Sequence, residues 1–169
     1  VVRGVGGTGP GGEGLVGERW LGSEHQLGWA VSAVVEQQRV IAEGAGGAVI
    51  AAIFAYPELF EGLKVGVVIC GGNIDPRLLS SILNRNMAID GRIARLRIDI
   101  SDEPGMLAAI TDSIGRCGGN IIEIYHQRLF FDVPAKLAKI DAVVETRGPE
   151  HIDEIIADLR KTKFTVRRM

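Results

Sequence analysis

Few residues in this chain carry the chemistry of a site, and their spacing narrows what they can do. There are two cysteines, Cys70 and Cys117, and three histidines, His25, His126 and His151. Two cysteines cannot build a disulfide framework or a structural zinc site. The histidines stand too far apart in sequence for a metal-ligand spacing. His126 falls in His126-Gln127-Arg128 on an expected strand, where it reads as a strand-face or interface residue. Cys70 ends the apolar run Val65–Cys70, and Gly71-Gly72-Asn73 turns the chain there. A small buried apolar residue is the plain reading of such a cysteine. Cys117 closes a helical apolar face before Gly118-Gly119 and reads as packing. Gly4-Val5-Gly6-Gly7-Thr8-Gly9 fits the G-x-G-x-x-G dinucleotide pattern, yet no buried strand precedes it and no helix follows. Asp102-Glu103-Pro104-Gly105 opens a helix. A helix start offers backbone N–H groups and the positive end of a dipole to a carboxylate, and a glycine there lets a ligand approach closely.

The elements that must hold these residues are set by an uneven chain. It has 169 residues, 46% hydrophobic and 24% charged, with a formal net charge of −2. That is room for one ordinary domain or two small ones. Without a basic excess the chain is not built for nucleic acid or an anionic membrane surface, and its apolar runs are too short to span a bilayer as a helix. Of 23 glycines, nine fall in the first 22 residues, so residues 1–22 are expected to be disordered. The first residue is Val and not Met, so the chain is expected not to begin where its gene begins.

From Ser23 the texture changes. Ser23 with Gln26 reads as a capping box, and Leu27, Ala30, Val31, Val34 and Val35 form one helical face. Glu43 to Gly47 is expected to break this helix. Ala48, Ala51, Ala52 and Ala55 then mark a closely packed second helix ending before Pro57. Lys64 to Cys70 reads as a strand buried on both faces of a parallel sheet, and Pro76 to Asn84 as a short helix. These are the pieces of an open α/β sheet.

Beyond a linker at 86–91 the pattern is more regular. Leu96, Ile98 and Ile100 alternate with Arg95, Arg97 and Asp99 in a half-buried strand. A helix follows, with Pro104 in its first turn and Leu107, Ile110, Ile114 and Cys117 as its buried stripe. Ile121 to Phe131 and Ala138 to Thr146 read as strands, Gly148-Pro149 starts a helix, and Phe164 and Val166 form a short last strand. The order βαββαβ is the ferredoxin-like arrangement.

Two stretches carry a family resemblance. Glu43-Gly44-Ala45-Gly46, with Val68-Ile69-Cys70-Gly71-Gly72-Asn73-Ile74-Asp75, resembles the end of the catalytic domain of pyridoxal-phosphate-dependent threonine/serine dehydratases. The runs Gly91-Arg92-Ile93-Ala94 to Asp102-Glu103-Pro104-Gly105, Gly119-Asn120-Ile121-Ile122 and His126-Gln127-Arg128 resemble the ACT regulatory domain. That domain is fused to the medium-length threonine dehydratases, the threonine ammonia-lyases. The likeness spans residues 23–169.

The resemblance implies an α+β chain: a ferredoxin-like ACT domain at 92–169, preceded at 23–85 by a remnant of a fold-type II pyridoxal-phosphate α/β domain. It places Cys70 at the cofactor's pyridine nitrogen, with Gly71, Gly72 and Asn73 shaping the turn beside the ring. A neutral thiol there leaves the nitrogen unprotonated, which suits β-elimination over transamination. The family's Schiff-base lysine and phosphate loop lie upstream of the matching region. None of Lys64, Lys136, Lys139, Lys161 and Lys163 has the matching setting. No catalytic residue is therefore assigned, and pyridoxal phosphate is expected in the parent enzyme, not on this chain alone. The parent would convert L-threonine to 2-oxobutanoate and ammonia in the cytoplasm, in isoleucine biosynthesis. The ACT half implies an amino-acid effector held between Asp102, Glu103, Pro104, Gly105, Met106 and Leu107 and a partner's strand edge carrying Asn120, Ile121 and Ile122. A branched aliphatic effector, isoleucine or valine, is implied, with homodimers formed by side-by-side ACT pairing. A stand-alone ligand-binding or dimerisation module is the alternative.

Overall fold

A computed structural model describes residues 2–3, 21–127, 137–162 and 164–169. The Gly4–Gly9 motif, the greater part of the glycine-rich segment, Arg128, Lys136 and Lys163 lie outside the described residues, as does the end of the strand expected to reach Phe131. The chain divides into two compact units, Val1–Asn86 and Met87–Met169.

In the first unit β1 (Val2–Arg3) pairs antiparallel with β2 (Leu21–Gly22). Helix α1 (Glu24–Gln38) starts on the expected capping box. The Ser23 hydroxyl accepts from the Gln26 N–H at 3.2 Å, and the Gln26 side-chain oxygen accepts from the Ser23 N–H at 2.8 Å. Leu27, Ala30, Val31 and Val34 are its buried face. The helix ends in a left-handed residue, Arg39 at φ 59°, before the glycines expected to break it. Those glycines instead belong to α2 (Gly44–Ala55), capped at Glu43. Gly46, Gly47, Ala48 and Ala51 are its buried residues, and Ala48 and Ala51 share a small core with Leu27 and Ala30 of α1. Small side chains there permit close helix packing; they do not end a helix. A 3-10 turn (Pro57–Leu59) follows. Helix α3 (Pro76–Ile89) runs past the expected end at Asn84. Asp75 opens it by accepting from the Leu78 N–H at 3.0 Å, and buried Asn86 donates to the Gly28 carbonyl at 3.0 Å.

The strand expected at Lys64–Cys70 does not form. Among the described residues this segment joins no ladder, and Val65 and Val68 are 42% and 80% exposed. A strand buried on both faces needs neighbouring strands and a helix layer on each side. The described part of this unit has only the two-residue β1–β2 ladder.

The second unit has the expected βαββαβ order: β3 (Ile93–Ser101), α4 (Met106–Arg116), β4 (Asn120–Gln127), β5 (Leu137–Glu145), α5 (Pro149–Lys161) and β6 (Thr165–Arg168). Its antiparallel sheet is ordered β4-β5-β3-β6. Period-two alternation sends Leu96, Ile98, Ile100, Ala138, Ile140, Ala142 and Val144 to one face. There they meet Ile110 and Ile114 of α4 and Ile152, Ile155 and Leu159 of α5 in one core. The fold is α+β and ferredoxin-like.

Candidate functional site

The loop between β3 and α4 is built as a helix start open to solvent. The Glu103 N–H donates to the Ser101 carbonyl at 2.9 Å. Gly105 then takes a left-handed conformation, φ 90°, as the N-cap of α4 and contributes no side-chain cap. Nothing lies within 4 Å of where a Cβ at 105 would stand. Asp102, Glu103, Pro104 and Gly105 are exposed, whereas Met106 and Leu107 are half-buried against the core. Pro104, expected within the first turn, lies before it, because the helix begins only at Met106.

The second expected wall is on β4. Asn120 pairs with Glu145 across the ladder, and its side-chain amide donates to the Glu145 carboxylate at 3.0 Å. Ile121 pairs with Val144 and packs on the core. The next ladder pair is Glu123 with Val143. Ile122 is therefore the extra residue of a β-bulge, 49% exposed on an edge strand. Register sets the two walls apart. Asn120 lies in line with Glu145 and Ile93, while Ser101, from which the α4 loop departs, pairs with Leu137. Eight residue steps along β3 separate them, roughly 26 Å at strand rise. A single chain does not bring the two walls together.

The residues expected at the cofactor, Cys70, Gly71, Gly72 and Asn73, form one exposed turn. The structure does join the two halves of the motif around it. The Glu43 N–H donates to the Gly71 carbonyl at 2.9 Å. The Cys70 carbonyl comes so near Gly46 that a Cβ there would stand 2.5 Å from it. This turn offers one side for a ring and, among the described residues of its unit, no enclosure. The residues present do not by themselves fit a bound pyridoxal phosphate. Among the described residues no group of three or more His, Cys, Asp or Glu could hold a metal ion.

A polar cluster escaped the sequence reading. Asp141 lies on the sheet face away from the helices, yet its side chain is wholly buried. It accepts from Arg95 Nη2 at 2.6 Å and from Arg97 Nε and Nη2 at 2.7 and 2.8 Å. The hydrogen bonds from Arg97, with further help from Arg95 and against the effect of burial, lower its pKa from 3.8 to about 2. Arg97 stands directly across the ladder from Asp141, a pairing visible only once register is known. Between the helices, buried Ser113 donates to Asp158 at 2.7 Å, and Arg116 adds a second bond at 3.0 Å. Both hydrogen bonds hold the Asp158 carboxyl below its usual range, the serine first. His151 is also buried, accepting from the Arg147 N–H at 3.1 Å and facing the Cys117 carbonyl at 2.7 Å. His126 is exposed on β4.

Strand order and helix placement define the second unit as a ferredoxin-like α+β domain. In sequence, the chain is similar to the L-threonine ammonia-lyase of Thermotoga maritima, 32% identical over 145 residues, which cover 86% of this chain and 36% of that protein. It is likewise similar to the L-threonine ammonia-lyase of Geobacter sulfurreducens, 32% identical over 152 residues, 90% of this chain and 38% of that protein. The chain spans a little over a third of the length of these relatives, 36% and 38%. No protein-family model matches it. Among solved structures, the ACT domain of a GTP pyrophosphokinase from Chlorobium tepidum aligns with a TM-score of 0.38 at 24% identity, over 46% of this chain and 96% of that one. A protein from Galdieria sulphuraria aligns with a TM-score of 0.36 at 16% identity, over 76% of this chain and 68% of that one. Among the described residues no helix is long and apolar enough to cross a membrane.

Proposed function

We propose that this chain is the amino-acid-sensing, carboxyl-terminal portion of a cytoplasmic L-threonine ammonia-lyase, with Met87–Met169 binding a branched aliphatic amino acid as allosteric effector. The observation that carries this reading is the separation of the two walls along the strand direction of a sheet in which β4, paired with β5 on one side, has no described strand on its other side. Pairing two β4 edges antiparallel about a two-fold axis reverses one strand against the other. Asn120, Ile121 and Ile122 of a second copy then arrive at the Gln127 end of β4. That is the end from which Asp102–Leu107 leave the sheet. The α-carboxylate would lie at the start of α4, where backbone N–H groups and the helix dipole favour an anion. Asn120 supplies polar groups, and Ile121, Ile122 and Met106 supply an apolar wall suited to isoleucine or valine.

In this reading L-threonine conversion to 2-oxobutanoate and ammonia belongs to the parent enzyme, together with its pyridoxal phosphate. Cys70, Gly71, Gly72 and Asn73 give one wall beside the cofactor ring, and this chain alone is inactive. Effector binding biases the parent through different affinities for its conformations. Calorimetric titration of the chain with isoleucine, valine, threonine and serine tests the sensor. Saturable heat with isoleucine or valine, weakened by dilution of the dimer, is the expected result. No heat and no melting shift with any of the four would leave only the dimerisation role.

A further inference from the structure

The sheet has two edges, β4 on one side and β6 on the other, and their backbones are finished differently. At β6 the Met169 N–H donates to the Arg95 carbonyl at 2.9 Å, one step beyond the Leu96–Arg168 pair. Antiparallel ladders alternate bonded and non-bonded pairs. Thr165 and Arg167 therefore bond to β3, and Phe164, Val166 and Arg168 turn their backbone groups outward. Helix α5 occupies two of those groups. The Phe164 N–H donates to the Leu159 carbonyl at 3.3 Å, and Arg160 Nη2 donates to the Val166 carbonyl at 3.2 Å. Among the described residues, that leaves only Arg168 with both outward groups open. Toward the other edge, the Thr146 N–H donates to the Arg92 carbonyl at 2.8 Å. The same alternation then turns Lys139, Asp141 and Val143 toward β4. Their partners Gln127, Tyr125 and Glu123 bond inward, so Ile124 and His126 face outward. Among the described residues no side chain bonds to the backbone of either.

We propose that Arg160 closes the β6 edge against a second copy of this domain, leaving β4 as the edge open to pairing. The β4 half rests on the pairing proposed above; the Arg160 half stands on the β6 geometry alone. An added strand would run about 4.8 Å from β6 and would need the Val166 carbonyl for its own N–H. The guanidinium already holds that oxygen, and a charged donor binds it more strongly than a neutral amide does. With Leu159 holding the Phe164 N–H as well, an incoming strand finds a complete rung only at Arg168. A single rung does not make a ladder. Arg167 and Arg168 add like charge, which a second β6 lying antiparallel would meet. Short length and exposed cations are common ways of blunting an edge, and β6 has only four residues. A side chain fixed on an outward carbonyl is more specific than either. Arg160 is exposed on α5, so the core does not require an arginine there.

Sedimentation velocity of the full chain over a wide concentration range tests this, in about 1 M salt, where charges are screened beyond about 3 Å. The parent chain stops at the size its β4 edge sets. Arg160→Ala and Arg160→Met both lack a donor, and both are expected to go on growing, from dimer to tetramer and larger. Alanine favours a helix, and methionine keeps an unbranched stem over β6, so both variants should fold. Arg160→Lys keeps a donor and should sediment like the parent. Hydrogen exchange locates the new contact: in the enlarged species the Val166 amide becomes at least about tenfold more protected. If the donor-less variants melt as folded chains yet sediment like the parent at every concentration, the proposal is wrong. It is equally wrong if they grow without protection at Val166, or if Arg160→Lys grows as they do. Failure of the β4 pairing would appear elsewhere, as a monomeric parent chain. Opening β6 would then take the donor-less variants from monomer to dimer.

Discussion

Asp141 holds its carboxylate between two arginines with no exposure of its own side chain, so its protonation and folding of the second unit are linked. Its pKa falls from 3.8 to about 2 on folding. The stabilisation is therefore complete above the unfolded value and disappears as pH falls through the folded one. A shift of this size corresponds to about 2 kcal/mol. Asp141→Asn keeps the shape and removes the charge, leaving Arg95 and Arg97 to water they already partly reach. The expected loss at pH 7 is about 2–3 kcal/mol, below the cost of stranding a fully buried partner. Urea melts at pH 7, 4 and 2 check this: the gap between parent and variant narrows steadily toward pH 2. In sequence Asp141 looks like one more polar residue on the outer face of an alternating strand. Its role depends on Arg97 lying opposite it, 44 residues earlier, and alternation reports a face without reporting a register.

Elements with their own local signals are readable, and those defined by a distant neighbour are not. The capping box at Ser23 and the βαββαβ series fall where the residues place them, because caps and hydrophobic periods act within a few positions. Gly44–Gly47 reads as a break until its packing is known: Gly46 is small because the Cys70 carbonyl passes beside it. Gly46→Ala forces a Cβ to 2.5 Å from that oxygen. The first turn of α2 or the Cys70 turn must shift, at about 1–3 kcal/mol, and thermal melting should show the loss. Gly105 makes the complementary case at the start of α4. Its φ of 90° disfavours a side chain, but the space around a Cβ is empty. Gly105→Ala should cost about 1–2 kcal/mol through backbone strain, read in the same melts. Isoleucine affinity should fall further than stability does, because the added methyl stands where the ligand must approach.

At the scale of the whole molecule, the candidate site is legible as residues but not as a place. Asp102–Leu107 and Asn120–Ile122 can be picked out along the chain, yet the sheet register sets them at opposite ends. In the proposed β4–β4 pairing a second copy makes them adjacent, so that reading ties assembly to effector binding. The bulge at Ile122 puts that side chain, 49% exposed, on the edge strand where two copies would meet. Ile122→Asp puts a carboxylate that must lose its water into such an interface, and burying a charge without a partner is costly. Within one chain the same change touches an exposed bulge outside the core, so its effect on folding should stay within about 0.5 kcal/mol. Sedimentation should then show a dimer for the parent chain and a monomer for the variant, at equal melting temperature once extrapolated to low concentration. Isoleucine shifts at Asp102–Leu107 should vanish with the dimer. A variant that stays dimeric and still binds isoleucine would place the effector contacts on some other edge, leaving β4 as an ordinary solvent-facing strand.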